Sequence, residues 1–127
     1  MRRWSNSSWD KLSRVHPDLI KGMNVALQES PLDFRVIEGM RTLARQKQLV
    51  ASGASTTLRS RHLTGHAVDI VPLVNGVVRW DWPLYHRMAP AIKLAFQSVG
   101  VPIEWGGNWK SFPDGPHWQL PWDKYPA

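Results

Sequence analysis

Apolar residues recur at helical spacing near the start of the chain. Trp9 and Leu12 lie about one helical turn apart, behind Asn6 or Ser7, either of which can cap a short helix. Pro17 suits the first turn of a second helix, because its fixed φ is helical and its missing N–H needs no partner there. The apolar face of this second helix comprises Leu19, Ile20, Met23 and Leu27. We therefore predict two helices that cover a core.

The pattern then changes from alternating to helical. Phe34–Glu38 alternates and is rich in strand-forming residues, which predicts a β-strand. Thr42 begins a predicted helix that runs through Gln46 and that Gly53 terminates. Residues 54–61 show no periodicity, so we expect a polar loop there.

A longer helix is predicted from Asp81 and Pro83 onward. Its apolar face is expected to comprise Leu84, Met88, Ala91, Ala95 and Val99. Pro90 falls inside this helix. We expect it to kink or split the helix, because proline removes a backbone hydrogen bond and its ring clashes with the preceding turn.

Short strands account for the remaining apolar stretches. Residues 67–71, the dipeptide Asn-Gly at 75–76 and residues 77–78 predict a β-hairpin, since Asn-Gly supplies the positive φ angles of a tight turn. Residues 102–105 and 117–120 predict two further strands. Helices and strands do not alternate as βαβ units. The predicted fold class is therefore α+β, with a small antiparallel sheet flanked by helices.

Charge narrows the choice of partner. The chain carries 16 Lys and Arg against 10 Asp and Glu, a net charge of +6, which favours polyanionic partners. The basic residues stand singly except for the pair Arg2 and Arg3, unlike the basic arms of many nucleic-acid binders. We predict no nucleic-acid partner, and solubility with mild electrostatic steering is the alternative explanation of the charge.

Length and composition set further expectations. The 127 residues suit one domain, so we expect residues 1–127 to form a single domain without a second, separate module. The chain has no cysteine, which excludes disulfides and thiolate metal sites. The basic residues at the start of the chain are not followed by the apolar run of about 7 to 15 residues that a signal peptide needs. We expect synthesis in the cytoplasm without a signal peptide.

Two short segments contain the residue types of a metal site. The first supplies His62 and Asp69, and the second supplies His117. Two imidazoles and a carboxylate suit a catalytic zinc ion and leave a fourth position for water. On the predicted strand Asp69 shares a side with the small Ala67, and Gly65 permits a turn that folds His62 back over it. The set predicts a metallohydrolase.

A second carboxylate precedes the last histidine. Asp114 can take a proton from the attacking water and pass it to a leaving amine. Residues 113–115 also form an ordinary turn sequence, and both interpretations can hold together. Glu104 is the alternative base. His66 is an alternative ligand, although Gly65 and the lack of the usual helix-motif glutamate argue against it.

The two motifs together resemble a known family. The pattern Ser60-x-His62-x-x-Gly65-x-Ala67-x-Asp69 followed by Asp114-x-x-His117 is similar to that of the zinc peptidases that include VanX- and VanY-type D-alanyl-D-alanine peptidases and phage L-alanyl-D-glutamate endolysins. The resemblance extends over about residues 36–120, and its intervening stretches look like the endolysin branch. It implies a hedgehog/DD-peptidase-like fold with the zinc site in a cleft.

The resemblance also implies a role for each matching residue. It implies that His62, Asp69 and His117 bind Zn²⁺. It implies that Asp114 is the general base and that Arg41 stabilises the oxyanion, a role that its fixed charge suits. The residues expected to contact substrate or support the ligands are Ser60, Gln46, Glu104 and Trp109.

Some positions limit what the resemblance carries over. Asn108 stands where the endolysin branch often has aspartate, which puts a charge-dependent role there in doubt. Asp114 replaces the glutamate of the D-alanyl-D-alanine enzymes, which favours the endolysin branch. Four tryptophans near the second motif either stack on substrate or pack the structure, and they are Trp105, Trp109, Trp118 and Trp122.

The implied function is a zinc endopeptidase that cleaves the L-Ala–D-Glu bond in the stem peptide of peptidoglycan, as a phage or prophage endolysin. The expected enzyme is a monomer that reaches the periplasm of a Gram-negative host through a holin and touches anionic membrane transiently. The alternatives are a D-alanyl-D-alanine carboxypeptidase or dipeptidase, and a non-catalytic zinc-stabilised wall-binding module.

Overall fold

The computed structural model describes residues 1–55, 57 and 59–126. Two positions of the predicted loop at 54–61, residues 56 and 58, lie outside the described residues. The helices are α1 (Asn6–Leu12), α2 (Pro17–Glu29), α3 (Leu43–Ala51) and α4 (Trp82–Ser98). The strands are β1 (Phe34–Glu38), β2 (Ala67–Val74), β3 (Val77–Val78), β4 (Glu104–Trp105) and β5 (His117–Gln119). Short 3-10 turns occupy Arg61–Thr64 and Gly106–Asn108.

The described strands form one antiparallel sheet in the order β1-β2-β5-β4, with β3 paired to β2. The predicted α+β class is therefore confirmed. The predicted hairpin between β2 and β3 is confirmed as well, since Asn75 and Gly76 have φ angles of 51° and 76°. Such a turn matches the right-handed twist of the paired strands.

One face of the sheet is apolar and is covered by helices. Val68 and Ile70 of β2 and Trp118 of β5 lie in the core together with residues of the helices. Helices α2 and α4 pack on each other, and α1 packs on β1. Because side chains alternate along a strand, Asp69 and His117 point to the opposite face. No helix in the described part of the chain is both long and apolar enough to cross a bilayer.

The predictions for α1 were partly wrong. The cap is Ser5 rather than Asn6 or Ser7, and its hydroxyl oxygen accepts a hydrogen bond from the Ser8 N–H at 3.1 Å. Leu12 is fully buried, but Trp9 remains 46% exposed. The short helix buries one narrow stripe against β1, and Trp9 lies outside it.

Pro90 does not split α4, because the helix continues from Trp82 to Ser98, so of the two predicted outcomes the split was wrong and the kink stays a prediction. Pro90 is exposed, so water can reach the His86 carbonyl that loses its helical partner. The buried face also differs from the predicted one. It comprises Tyr85, Met88, Ala89, Ile92, Ala95 and Phe96.

Candidate active site

Adjacent strands place three polar residues side by side on the open face of the sheet. Asp69 of β2 lies directly opposite His117 of β5. On its other side, a β-bulge between Val36 and Glu38 brings Glu38 of β1 opposite Asp69. Without the extra residue, the regular register would put Ile37 there. The bulge therefore adds a second carboxylate to the site.

His62 reaches this row from the 3-10 turn. The Ser60 hydroxyl caps that turn by accepting a hydrogen bond from the His62 N–H at 3.2 Å. Gly65 ends the turn with a φ of 75°, which only glycine adopts readily. The turn folds His62 back so that its Nε2 lies 3.1 Å from Asp69 Oδ1.

Three potential metal-ligand atoms converge at this point. His62 Nε2 and His117 Nδ1 each lie 3.1 Å from Asp69 Oδ1. Each of the three residues offers one ligand atom, and these atoms all lie within 4.8 Å of one another. A tetrahedral ion with bonds of about 2.1 Å separates its ligand atoms by roughly 3.4 Å. The spacing therefore fits a metal ion with little adjustment.

In both His62 and His117, the ring nitrogen that points away from Asp69 makes a hydrogen bond to another group. His62 Nδ1 lies 2.8 Å from the Gly39 carbonyl oxygen, and His117 Nε2 lies 2.8 Å from Gln119 Oε1. Each nitrogen therefore donates a proton outward, so a neutral ring directs a lone pair at Asp69. Lone pairs cannot bond to one another, so the cluster needs a cation or added protons. His62, Asp69 and His117 thus fit a metal ion by their chemistry as well as by their spacing.

The ionisable groups of the site shift one another's pKa values. Burial opposes ionisation of Asp69, but the charge of His62 and hydrogen bonds from His117 and His62 hold its pKa well below the usual range. Burial also disfavours protonation of His117, yet its hydrogen bond to Asp69 and the charge of that carboxylate raise its pKa. Both shifts favour a carboxylate at Asp69 beside a protonated imidazole at His117.

Asp114 begins a turn whose closing hydrogen bond runs from the His117 N–H to the Asp114 carbonyl at 3.3 Å. The Asp114 N–H donates to the Gly106 carbonyl at 2.9 Å. A Cβ at Gly106 would lie 2.7 Å from the Asp114 carbonyl oxygen, so only glycine fits this contact. Burial, and then the charge of Asp69, raises the pKa of Asp114. The residue thus forms the expected turn and also lines the cleft.

Arg41 is held at the edge of the same site. Its Nε and Nη2 donate to the Glu38 carboxylate at 2.7 and 2.6 Å, and its Nη1 donates to Gln46 Oε1 at 2.6 Å. Its Nη2 also lies 3.8 Å from Asp69 Oδ2. Gln46 is fully buried and donates to the Ser55 hydroxyl at 3.0 Å. Three hydrogen bonds therefore fix the plane of the guanidinium beside the cleft.

The open face forms a cleft of about 780 Å³. Its lining includes Glu38, Arg41, Ser60, His62, Asp69, Trp109, Asp114, His117, Gln119 and Trp122. The Trp109 ring packs on His117, with ring centroids 5.1 Å apart. Trp105 and Trp118 instead stack on each other in the core at 5.7 Å. The tryptophans are thus divided between the cleft and the core.

The chain is similar to known phage peptidases. Residues 1–119 match the family of phage L-alanyl-D-glutamate peptidases. The chain belongs to this family. It is 32% identical over 116 residues to the L-alanyl-D-glutamate peptidase of Escherichia phage T5, a match that covers 88% of this chain and 85% of that protein. The resemblance inferred from the two motifs is therefore confirmed.

Two further relatives support the family assignment. The L-alanyl-D-glutamate peptidase of Listeria phage A118 is 36% identical over 98 residues, and the match spans 77% of this chain but 34% of that longer protein. The crystal structure of the Serratia marcescens L-Ala D-Glu endopeptidase ChiX superimposes with a TM-score of 0.93 at 48% identity. That match covers 99% of this chain and 95% of ChiX.

The alternative residues lie away from the converging ligand atoms. His66 Nδ1 lies 2.6 Å from the Thr64 hydroxyl, and the ring packs near His16. Glu104 accepts a hydrogen bond from Gln119, which places it behind His117. Neither residue joins the group of three ligand atoms among the described residues.

Sequence reasoning assigned no role in the site to three residues that line the cleft. Strand alternation does place Gln119 on the same face as His117, but it gives no role to that amide. Glu38 was hidden by the bulge, which no sequence pattern marks. Arg61 was counted among the scattered surface charges, but it is 2% exposed and donates to the Leu120 carbonyl at 3.0 Å.

Proposed function

We propose that this protein is a zinc-dependent endopeptidase that hydrolyses the L-Ala–D-Glu bond in the stem peptide of bacterial peptidoglycan. The observation that carries the proposal is the convergence of His62 Nε2, Asp69 Oδ1 and His117 Nδ1 at one end of an open cleft. The bond specificity is supported by the names of the phage relatives and by the likeness to ChiX.

The metal would be held by His62, Asp69 and His117. Two imidazoles and one carboxylate favour zinc over the harder ions that prefer all-oxygen sites. When bound, zinc supplies Lewis-acid chemistry by polarising a carbonyl and lowering the pKa of water. The outward hydrogen bonds of both histidines orient the rings for this task.

The reaction itself is assigned to two further side chains. Asp114 accepts a proton from the attacking water as the new C–O bond forms, and it delivers that proton to the amine nitrogen as the C–N bond breaks. Arg41 donates hydrogen bonds to the carbonyl oxygen while that oxygen carries negative charge. Glu38 and Gln46 hold the guanidinium in place, so little reorganisation is needed during the reaction.

The remaining predicted residues support this machinery. Ser60 caps the turn that carries His62, and Trp109 packs on His117 where the stem peptide would enter. We assign no direct substrate contact to Glu104, because its carboxylate bonds to Gln119 behind the ligands. Residues 1–127 act in this proposal as one catalytic domain and as a monomer.

The proposed setting is lysis of a bacterial host by a phage or prophage enzyme. The protein is made in the host cytoplasm and passes through a holin to the periplasm. Its net charge of +6 favours approach to an acidic cell wall and transient contact with anionic lipid. The phage relatives support this setting.

The test is digestion of purified Gram-negative peptidoglycan with the zinc-loaded protein. Released fragments are analysed by mass spectrometry after labelling of new amino termini. We expect new glutamate amino termini that disappear when a chelator removes the metal. An Asp114→Asn variant should lose about 10²- to 10⁴-fold in rate while it still binds zinc. The matched control is Asp123→Asn, at an exposed carboxylate in the last turn of the chain.

Each other outcome changes the proposal. Release of free D-alanine would assign the protein to the carboxypeptidase branch. Binding to intact peptidoglycan without any cleavage would indicate a wall-binding module. Full activity in the Asp114→Asn variant would refute the role of that residue as the base.

A further inference from the structure

We propose that Glu104, acting through Gln119, determines which nitrogen of His117 is left to bind the metal. The two residues are positioning residues, since neither touches the converging ligand atoms directly. The inference rests on the proposed function and adds to its metal site a pair of residues that orients one ligand. Neither the motifs nor the relatives' names assign a role to Gln119.

Strand pairing builds this arrangement. Glu104 of β4 lies directly opposite Gln119 of β5. Gln119 and His117 are two residues apart on β5, so their side chains share the open face of the sheet. The Gln119 Oε1 lies 2.8 Å from His117 Nε2, and the Gln119 Nε2 lies 3.1 Å from Glu104 Oε2. A single row of contacts therefore links Glu104 to Asp69 through Gln119 and His117.

The carboxylate of Glu104, at one end of the row, sets the direction of every hydrogen bond along it. The oxygen atoms of a carboxylate accept hydrogen bonds, so the contact with Glu104 Oε2 turns the amide nitrogen of Gln119 toward it. The amide oxygen must then face His117, and that oxygen only accepts as well. His117 Nε2 therefore carries the proton, which leaves the lone pair of a neutral ring on Nδ1, 3.1 Å from Asp69 Oδ1.

The reverse orientation would obstruct the metal site. A flipped Gln119 amide would present its NH₂ group to His117 Nε2 and would favour the proton on Nδ1. That proton would then lie between His117 and Asp69, where the metal must bind. His117 and Gln119 are each only 6% exposed, so little water is available to substitute for the missing partner. Loss of such outer hydrogen bonds typically weakens metal affinity by about 10- to 100-fold.

The experiment compares the unsubstituted 127-residue protein with three variants. Glu104→Gln removes the group that orients the amide. The double swap Glu104→Gln with Gln119→Glu restores the original direction of the hydrogen bond from His117. A carboxylate at position 119 accepts hydrogen bonds from both His117 and the new amide at position 104. Glu29→Gln is the matched control, since it removes the same charge from the exposed end of α2. Two readouts are measured, and neither requires catalysis.

The first readout is the tautomer of His117 in the metal-free protein, from ¹⁵N chemical shifts followed upward in pH until the ring of His117 is neutral. The second is zinc affinity, from competition with a chromophoric chelator. We expect the proton on Nε2 in the unsubstituted protein and in Glu29→Gln. In Glu104→Gln we expect mixed tautomers and a zinc affinity about 10-fold weaker. The double swap should restore the Nε2 proton and bring the affinity back to within about 3-fold.

Several results would overturn the inference. A proton on Nδ1 in the unsubstituted protein would do so without any variant. An unchanged tautomer in Glu104→Gln would do so as well, even if affinity fell through the lost charge. A double swap that behaves like the single variant would also reject it. Failure to cleave peptidoglycan, with the tautomer and affinity changes intact, would refute the proposed function and leave this inference standing.

Discussion

Zinc binding should release about one proton from the site at about pH 6, which lies below the ordinary imidazole pKa of about 6.5. In the metal-free protein, the hydrogen bond from His117 to Asp69 outweighs burial and raises the pKa of His117. The protonated ring donates from Nδ1 to Asp69 Oδ1 at 3.1 Å and from Nε2 to Gln119 at 2.8 Å. Zinc needs the Nδ1 lone pair, so this proton must leave when the metal binds.

The magnitude follows from the linkage between one proton and one metal ion. While His117 is protonated in the metal-free protein, the apparent zinc affinity should rise about tenfold per pH unit, or about 1.4 kcal/mol. The slope should vanish once the pH exceeds the raised pKa of His117. The hydrogen bond to Asp69 also stabilises the metal-free fold below the unfolded-state pKa of about 6.5, and this contribution is lost as the pH rises through the folded-state value.

The assay is calorimetric titration of zinc into the metal-free protein in two buffers with different ionisation enthalpies. The difference between the apparent binding enthalpies gives the number of protons released. Asp69→Asn is the informative comparison, because it removes the charge that raises the pKa of His117. It should release fewer protons at about pH 6 and bind zinc more weakly. No proton release at about pH 6, together with an apparent zinc affinity that does not rise with pH from there, would refute the reasoning.

Three further predictions concern individual residues. Asp114→Asn should raise the melting temperature of the metal-free protein by roughly 1 to 4 °C at neutral pH, because burial raises the pKa of Asp114 and its ionised form therefore opposes folding above its ordinary pKa; a lower melting temperature by calorimetry would contradict this. Arg41→Lys keeps the charge but loses the paired hydrogen bonds to Glu38, so kcat should fall about 100-fold while zinc affinity changes less than about 3-fold. Steady-state kinetics and a zinc titration check this, and an unchanged kcat would exclude an oxyanion role. Gly106→Ala places a Cβ 2.7 Å from the Asp114 carbonyl oxygen and should destabilise the fold by about 1 to 3 kcal/mol; denaturant unfolding measures this, and a loss below about 0.5 kcal/mol would show that the turn can yield.

The elements that sequence reasoning predicted well are those with strong local signals. Pro17 begins α2, Phe34–Glu38 forms β1 with the predicted bounds, and Asn75 and Gly76 form the hairpin turn. These signals act through the φ and ψ preferences of adjacent residues, so they need no knowledge of the rest of the fold. The candidate metal ligands could also be proposed from the sequence, because ligand chemistry and the spacing within two motifs restrict the choice of residues.

Other features depended on packing between distant segments. The buried face of α4 was predicted only in part, since Met88 and Ala95 are buried as predicted, but Tyr85 and Phe96 also lie on this face and Leu84 does not. The exposure of Trp9 and the continuity of α4 through Pro90 also depended on the surroundings of these residues in the fold. Helical periodicity identifies an amphipathic helix, but the rotation of that helix about its axis is set by what it packs against.

The site shows the same division most clearly. The candidate chemistry could be predicted from the sequence, because His62, Asp69, His117 and Asp114 stand in two motifs whose residue types suit a hydrolytic metal centre. The orientation and support of these groups depend on the fold. The bulge that brings Glu38 beside Asp69 and the pairing of β4 with β5 arise from hydrogen bonds between strands distant in the chain. Such contacts depend on the register of the whole sheet, which short-range preferences do not specify.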